Sequence, residues 1–483
     1  MELDTRACYE ALRSRDPRFD GRFFTGVLTT GIYCRPICPA VTPRFENVRF
    51  FACAAAAEEN GFRPCKRCRP ETAPGTPPWA GTSTTVKRAL RLIAEGGLDD
   101  GGVDVLAAKL GIGARHLRRL FHEELGASPL SVAETHRIHF ARKLLDSTDW
   151  PVGRLALLSG FGSVRRFNDA IRNTFGLPPT RLRRMSEGVG PTKSPRLRIP
   201  YVPPYDWDAL LDWFEVRAVP GLELVRDGAY RRTFELAGAR GILEVRHDPR
   251  SKCLEVLLPA QVTASLIPLA EKVRRQFDCS SVPQQIATHL RRDPLLAPLV
   301  SRRPGLRVPG AFCPFELAVR AILGQQVSVR GARTFAERLV QIFGDPMPGD
   351  TAGLTHVFPD PSRLMQADLS RIGITRARAS TIRAVAAAFC DGRIDLSQNT
   401  ELDGFVGRLA AIPGVGPWTA HYIAMRGAGE PDAFPSGDLW LRRAASTTTN
   451  PLKSRELESR SAAWRPWRAY AAMHLWLKTE VRK

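Results

Sequence analysis

The stretch from Ile412 to Asp438 constrains the fold most. It begins Ile-Pro-Gly-Val-Gly-Pro-Trp-Thr-Ala-His-Tyr and closes on Phe434-Pro435-Ser436-Gly437-Asp438. Helical patterns flank the Pro-Gly-Val-Gly segment, so this part must be helix, tight turn, helix. Gly414 and Gly416 can take positive φ and, lacking side chains, let an anion approach their amides closely. Pro417 suits the first position of the following helix. Free amides and the positive helix end there favour negative charge.

The remaining chain is long enough for three or four domains: 483 residues, 43% hydrophobic and 25% charged, which is a globular composition. Lys+Arg is 70 against Asp+Glu 49, a formal net charge of +21. Such an excess suits a polyanionic partner. No run of about eighteen apolar residues indicates a membrane span, and no apolar signal core is read near the N-terminus. A cytoplasmic protein with reduced thiols is expected, with no membrane partner.

The hairpin, Trp418, Tyr422 and the segment ending at Asp438 together resemble the helix-hairpin-helix superfamily of base-excision DNA glycosylases. Residues 196–309 alternate apolar and polar residues at Thr233–Leu236 and Gly241–Val245, as half-buried strands do, and then turn helical. This segment is similar to the N-terminal domain of 3-methyladenine DNA glycosylase II, and no chemistry is assigned to it. From 310 to 483 the pattern is helical. The resemblance makes Asp438 the catalytic carboxylate, Trp418, Tyr422 and Trp476 the base pocket, and Gly414 and Gly416 the DNA-contacting turn. Gln326, in Leu323-Gly324-Gln325-Gln326-Val327-Ser328, falls where the family inserts a wedge into the gap left by the base. Trp464 and Trp467 are read as core. Trp418 stands where lyase relatives carry a Schiff-base lysine, so no lyase step is expected. No cysteine follows Cys390, so no iron–sulfur cluster is expected. Ser446–Pro451 is read as a flexible polar loop whose effect on the site is open.

Six of the ten cysteines lie before residue 78, and four form close pairs: Cys34-Arg-Pro-Ile-Cys38 and Cys65-Lys-Arg-Cys68. Two short pairs separated by a loop suit tetrahedral zinc, with a redox pair or unrelated core thiols as the alternative. Cys8 and Cys53 read as buried residues. With Thr29–Tyr33 and Gly61–Pro64, the pairs resemble the N-terminal domain of Ada-type alkylation-response proteins. The resemblance implies one zinc ion on Cys34, Cys38, Cys65 and Cys68, with Cys34 accepting a methyl group from DNA methylphosphotriesters. Arg35, Arg44, Lys66 and Arg67 are candidate phosphate contacts, with a plain solvated surface charge as the alternative for each. The family's second methyltransferase motif, Pro-Cys-His-Arg, is absent, so direct reversal of O6-methylguanine is not expected.

Between 83 and 185 two units repeat: a small-residue helix, a glycine turn, then a basic amphipathic helix. Around a long linking helix near 136–145 they resemble the AraC-type double helix-turn-helix. Arg115, Arg118, Arg165 and Arg166 are the expected DNA-facing residues. Pro/Gly-rich stretches at 70–82 and 186–204 read as linkers.

The expected architecture is therefore multidomain. It comprises a small α+β zinc domain (1–78), an all-α AraC-type domain (83–185), an α+β glycosylase N-terminal domain (196–309) and an all-α helix-hairpin-helix domain (310–483). The resemblances imply a DNA alkylation-repair protein. Its partners would be double-stranded DNA carrying alkylated bases or methylphosphotriesters, promoter DNA and RNA polymerase, and it would act as a monomer. The competing reading is a transcriptional activator whose C-terminal part only binds damaged DNA.

Overall fold

The computed structural model describes residues 3–73, 83–98, 101–148, 150–184, 196–236, 238–259, 265–348, 353–394 and 402–480. Of the expected linkers at 70–82 and 186–204, residues 74–82 and 186–195 lie outside these residues. The chain divides into two compact units: residues 1–202 with 248–271, and residues 203–247 with 272–483.

The first unit opens with Thr5–Arg13 (α1), whose first amides are capped by Asp4. A four-stranded sheet follows, built from Phe24–Val27 (β1), Ile32–Cys34 (β2), Val48–Phe51 (β3) and Arg63–Pro64 (β4), in the order β3-β1-β2-β4. Ala54–Glu59 (α2) packs its alanines against the aromatic face of this sheet, with Phe24, Tyr33, Phe51 and Phe62. Thr84–Ala94 (α3), Val103–Leu110 (α4) and Ala114–Leu125 (α5) bury Val86, Leu106, Leu117 and Phe121 together. Pro129–Ser147 (α6) is the long linking helix, started by the Ser128 cap and a proline at its first turn. Val152–Leu158 (α7) and Val164–Phe175 (α8) repeat the α4–α5 unit, and Pro179–Arg184 (α9) follows. Both α5 and α8 stop at a left-handed glycine, Gly126 and Gly176 (φ 70° each).

Arg196–Pro200 (β5) shows that the second linker expectation runs too far. Leu197 and Ile199 point inward while their neighbours do not, so this piece is a strand despite flanking prolines. In the second unit Trp207–Arg217 (α10) precedes a meander of Glu223–Arg226 (β6), Ala229–Leu236 (β7) and Ala239–Asp248 (β8). Cys253–Leu257 (β9) belongs to the first unit and pairs antiparallel with β5. The helices Ile267–Gln276 (α11), Pro283–Leu290 (α12), Ala297–Arg302 (α13), Pro314–Leu323 (α14) and Val329–Phe343 (α15) come next. They are followed by Pro361–Gln366 (α16), Arg376–Cys390 (α17), Leu402–Ala410 (α18) and Pro417–Ile423 (α19). Leu439–Ala444 (α20), Ser454–Ser461 (α21) and Arg468–Glu480 (α22) complete the chain. Among the described residues no helix is long and apolar enough to cross a membrane.

A buried ionic lattice ties the meander to α14. Arg232 bonds Glu316 at 2.7 Å, and Arg320 bonds both Glu223 and Glu316 at 2.8 Å. Burial pushes the Glu223 carboxyl up, but Arg320 and Arg232 outweigh it and hold it below the ordinary carboxylate range. Arg320 also donates to Arg217 O at 2.6 Å, fixing the C-terminal end of α10.

Candidate functional site

The four paired cysteines converge. β2 delivers Cys34, and its parallel pairing with β4 brings Cys65 beside it, with the Cys65 amide donating to Tyr33 O at 3.0 Å. Cys38 and Cys68 follow on tight turns closed by Cys38 N–H to Arg35 O and Arg69 N–H to Cys65 O. All four sulfurs lie within 4.8 Å of one another, and Cys38 Sγ is 4.0 Å from Cys65 Sγ. A tetrahedron with Zn–S near ~2.3 Å has edges of roughly 3.8 Å, so the donor set fits one zinc ion. The Arg35 amide donates to Cys68 Sγ at 3.3 Å, the kind of outer contact that orients a ligand. Cys8 is buried, and burial pushes its thiol up to about 11.

Arg35 is not a free phosphate contact. Its guanidinium pairs with Asp20 and donates to Cys68 O at 3.1 Å and Thr72 Oγ1 at 2.7 Å, bracing the second cysteine turn. Lys66 and Arg67 are exposed, and with Arg63 they line a cavity of about 470 Å³ that Cys34, Cys38 and Cys65 also border. Arg44 is exposed, 3.9 Å from Glu46.

The strand carrying Cys34 is anchored from behind. Tyr33 is fully buried, and its hydroxyl donates to Glu58 Oε1 at 2.8 Å. Thr135 of α6 donates to Glu58 Oε2 at 2.7 Å. His139, one turn further along α6, places Nε2 at 3.1 Å from the Tyr33 hydroxyl and 3.3 Å from Glu58. Burial pushes the Glu58 carboxyl up, but His139, Thr135 and Tyr33 outweigh it and leave it low. Arg115 and Arg118 on α5, and Arg165 and Arg166 on α8, are all exposed, while Leu117, Phe121, Phe167 and Ile171 are buried.

In the second unit the hairpin joins α18 to α19. Gly414 has φ +87°, and a Cβ there would meet Thr381 Oγ1 at 1.9 Å, so both backbone and space require glycine. Gly416 does not use that freedom: its φ is −82°, in ordinary extended backbone, as the N-cap of α19. Nothing lies within 4 Å of where its Cβ would be. Gln325 donates to Gly414 O and Thr419 Oγ1, both at 3.0 Å, tying the α14–α15 loop to the hairpin. Gln326 is exposed at that loop with φ +55°, an uncommon conformation for a residue other than glycine.

Asp438 caps α20 and gathers four donors. The amides of Trp440 and Leu441 reach Oδ1 at 2.9 and 3.0 Å, and Trp476 Nε1 reaches the same oxygen at 3.1 Å. Among the described residues Trp418 Nε1 alone reaches Oδ2, at 2.9 Å. Oδ1 is thus saturated while Oδ2 keeps an acceptor position open. Trp418 and Tyr422 stack with centroids 5.1 Å apart at 13°, and Trp476 meets Tyr422 edge-on at 6.3 Å. The three aromatic residues and the carboxylate therefore form one cluster. Trp464 is buried in the core, its Nε1 donating to Asp293 Oδ2 at 2.7 Å.

The sequence reading missed three members of this cluster. Trp213 on α10 packs against Trp476 at 5.6 Å, so the segment 196–309, to which no chemistry was assigned, reaches this cluster. The Arg217 guanidinium lies 3.5 Å over the Trp213 ring. Arg426 lies 5.2 Å from the Tyr422 ring and donates to its hydroxyl. Burial pushes the Tyr422 phenol up, but Arg426 and Arg217 outweigh it and leave it below its ordinary value. The expected loop 446–451 closes on itself, with Ser446 Oγ donating to Thr448 O and Asn450 O.

Family models match in the order the geometry suggests. The metal binding domain of Ada matches residues 7–71, and a helix-turn-helix domain matches 106–185. The AlkA N-terminal domain matches 196–313, and the HhH-GPD superfamily base excision DNA repair protein matches 319–469. A Mycobacterium tuberculosis (strain H37Rv) protein, the probable bifunctional transcriptional activator/DNA repair enzyme AlkA, is 43% identical over 486 residues. The match covers 99% of this chain and 97% of that protein. The chain belongs to this AlkA family of bifunctional activator/repair proteins. DNA-3-methyladenine glycosylase 2 of Escherichia coli (strain K12) is 34% identical over 57% of this chain and 94% of its own length. The Escherichia coli bifunctional transcriptional activator/DNA repair enzyme Ada is 32% identical over 38% of this chain and 49% of its own. A solved 3-methyladenine DNA-glycosylase from Archaeoglobus fulgidus, 21% identical, superposes with a TM-score of 0.52 over 59% of this chain and 99% of that one, which speaks to fold. The match to the metal binding domain of Ada and the four converging sulfurs together make these cysteines the site of one zinc ion.

Proposed function

We propose that this protein repairs alkylated DNA by two chemistries and couples one of them to transcription. Its domains would be 1–78, 83–185, 196–309 and 310–483. The C-terminal half hydrolyses the N-glycosidic bond of alkylated purines of the 3-methyladenine type. The observation that carries this is Asp438, gathered with Trp418, Tyr422 and Trp476 and holding one carboxylate oxygen with room for a further partner.

A base must leave the stack before its bond to sugar can be cut. Gly414, Gly416 and Gln326 are read as the DNA-side contacts that hold the backbone and fill the gap. Aromatic faces attract a ring made cationic by alkylation. Asp438 stabilises positive charge developing on the sugar and orients the attacking water, both through Oδ2. The bond's electron pair leaves with the base.

In the N-terminal half, Cys34, Cys38, Cys65 and Cys68 would hold a zinc ion, whose charge would keep their thiols deprotonated. Cys34 attacks the methyl carbon of a methylphosphotriester: the S–C bond forms, the C–O bond breaks, and the phosphodiester regains its charge. The thioether does not return the methyl, so each molecule reacts once. Losing one thiolate charge lowers repulsion of DNA phosphate and raises affinity. Arg115, Arg118, Arg165 and Arg166 then hold promoter DNA as a monomer in the cytoplasm, with RNA polymerase recruited.

Asp438→Asn tests the first half: base release should vanish while DNA binding persists, and unchanged excision would refute the role. For the second, mass spectrometry after exposure to methylated DNA should place the methyl on Cys34. A methyl on another cysteine would overturn that assignment.

A further inference from the structure

Arg426 is a buried cation placed against the aromatic wall. It is 8% exposed, its Nε donates to Pro309 O at 2.7 Å, and it donates to the Tyr422 hydroxyl. Its guanidinium carbon lies 5.2 Å from the Tyr422 centroid and 5.5 Å from that of Trp213. Among the described residues it has no carboxylate partner, whereas the equally buried Arg232 and the nearby Arg320 each meet two. Among the described residues its hydrogen bonds use Nε and Nη1, and Nη2 makes none. The residue also sits inside a π-helical turn, Ala424–Ala428, directly after the helix that carries Trp418 and Tyr422. Such turns give up regular helix geometry and recur at functional sites. A buried charge without a counter-ion, in an irregular turn beside an aromatic pocket, is costly unless something uses it.

We propose that Arg426 sets base specificity: it opposes a base entering with a full positive charge, and favours a neutral base bearing a carbonyl oxygen. This rests on the reading of Trp418, Tyr422 and Trp476 as the base pocket. The Tyr422 ring already attracts one cation, so a second entering the same wall meets like charge. A neutral base leaves with the electron pair of its glycosidic bond and becomes an anion, with charge spread onto its carbonyl oxygen. The Nη2 donor of Arg426 stabilises that charge. A cationic base leaves neutral and gains nothing from it. The guanidinium thus narrows the intrinsic advantage that a charged leaving group has.

The test uses full-length protein and two duplexes of one sequence, carrying either 7-methylguanine (cationic) or hypoxanthine (neutral, with a carbonyl). Single-turnover base release is measured for the unmodified protein, Arg426→Met and Arg426→Lys. The ratio of rate constants, hypoxanthine over 7-methylguanine, should fall about tenfold or more in Arg426→Met, and recover in part in Arg426→Lys. Equal losses on both duplexes mean a purely structural residue and overturn the proposal, as does no release of hypoxanthine by the unmodified protein. Should Arg426→Met fail to fold, Arg426→Gln, which keeps a donor for Pro309 O, gives the same ratio. Trp418→Ala separates the two readings. If it leaves both excisions intact, the pocket assignment itself fails. If it abolishes both while Arg426→Met leaves the ratio unchanged, only the inference about Arg426 fails.

Discussion

Replacing each of the two indoles that hold Asp438 by phenylalanine should give opposite orders of damage in rate and in stability. Trp418→Phe removes the one donor to Oδ2, the oxygen with a vacant acceptor position. Trp476→Phe removes one of three donors to Oδ1 and leaves the Trp440 and Leu441 amides in place. A hydrogen bond to a charged group contributes roughly 1.5–3 kcal/mol. Loss of the Oδ2 bond lets the carboxylate swing, so base release should slow by about 10- to 150-fold. Loss of one bond at the saturated oxygen should cost only about threefold, since the two amides still fix it. Stability should order the other way. Trp476 is 7% exposed, packed against Trp213 and Tyr422, whereas Trp418 is half-buried. Trimming the buried indole should remove on the order of 1–2 kcal/mol, against a few tenths for the half-buried one. Single-turnover release of 7-methylguanine and thermal unfolding measure the two quantities. A Trp418→Phe protein within twofold of the unmodified rate, or a slower Trp476→Phe, would refute the division of labour between the two oxygens.

Three further outcomes follow from geometry. Gly414→Ala should destabilise strongly, by about 2 kcal/mol or more, because φ +87° and the Thr381 hydroxyl both reject a methyl, whereas Gly416→Ala should unfold at nearly the unmodified temperature. Glu316→Gln leaves Arg232 and Arg320 with one carboxylate between them and should cost about 3–5 kcal/mol in denaturant unfolding, with little change in surface charge. Burial pushes His474 down to about 4 from 6.5, so the folded protein resists its protonation. Its contribution is complete above pH ~6.5 and drains away as pH falls toward 4, by about 3 kcal/mol. Asp278, pushed up to about 6 by burial, acts in the opposite direction, so stability differences between the unmodified protein and His474→Phe across that window isolate the histidine.

The zinc centre was legible because its signal is local. Four cysteines in two short pairs need only two turns to meet, and both turns lie within the motif. The hairpin and Asp438 were legible because glycine and proline state their backbone demands directly, although at Gly416 neither φ nor crowding demands glycine. Trp418 and Tyr422 share a face by helical spacing alone. Trp213 and Arg217 gave no such signal: they belong to an ordinary helix some two hundred residues earlier in the chain, and only the fold brings them to Trp476. Arg426 was hidden by the π turn that carries it, and by the abundance of arginine elsewhere. Arg35 misled in the other direction, since its partner Asp20 lies on a separate loop and converts an apparent DNA contact into a brace. In β5 the alternation of Leu197 and Ile199 was short and enclosed by prolines, so it read as linker.

The hydroxyl behind Cys34 has a mechanical meaning. Tyr33 is clamped to the Glu58 carboxylate, and that carboxylate is held in turn by Thr135 and His139 on the helix that separates the two DNA-reading units. The strand that carries Cys34, the proposed methyl acceptor, and the rod that joins the two helix-turn-helix units are therefore fastened to one another. A displacement of that strand would be carried to the rod through the hydrogen-bonded side chains of Tyr33, Glu58, Thr135 and His139.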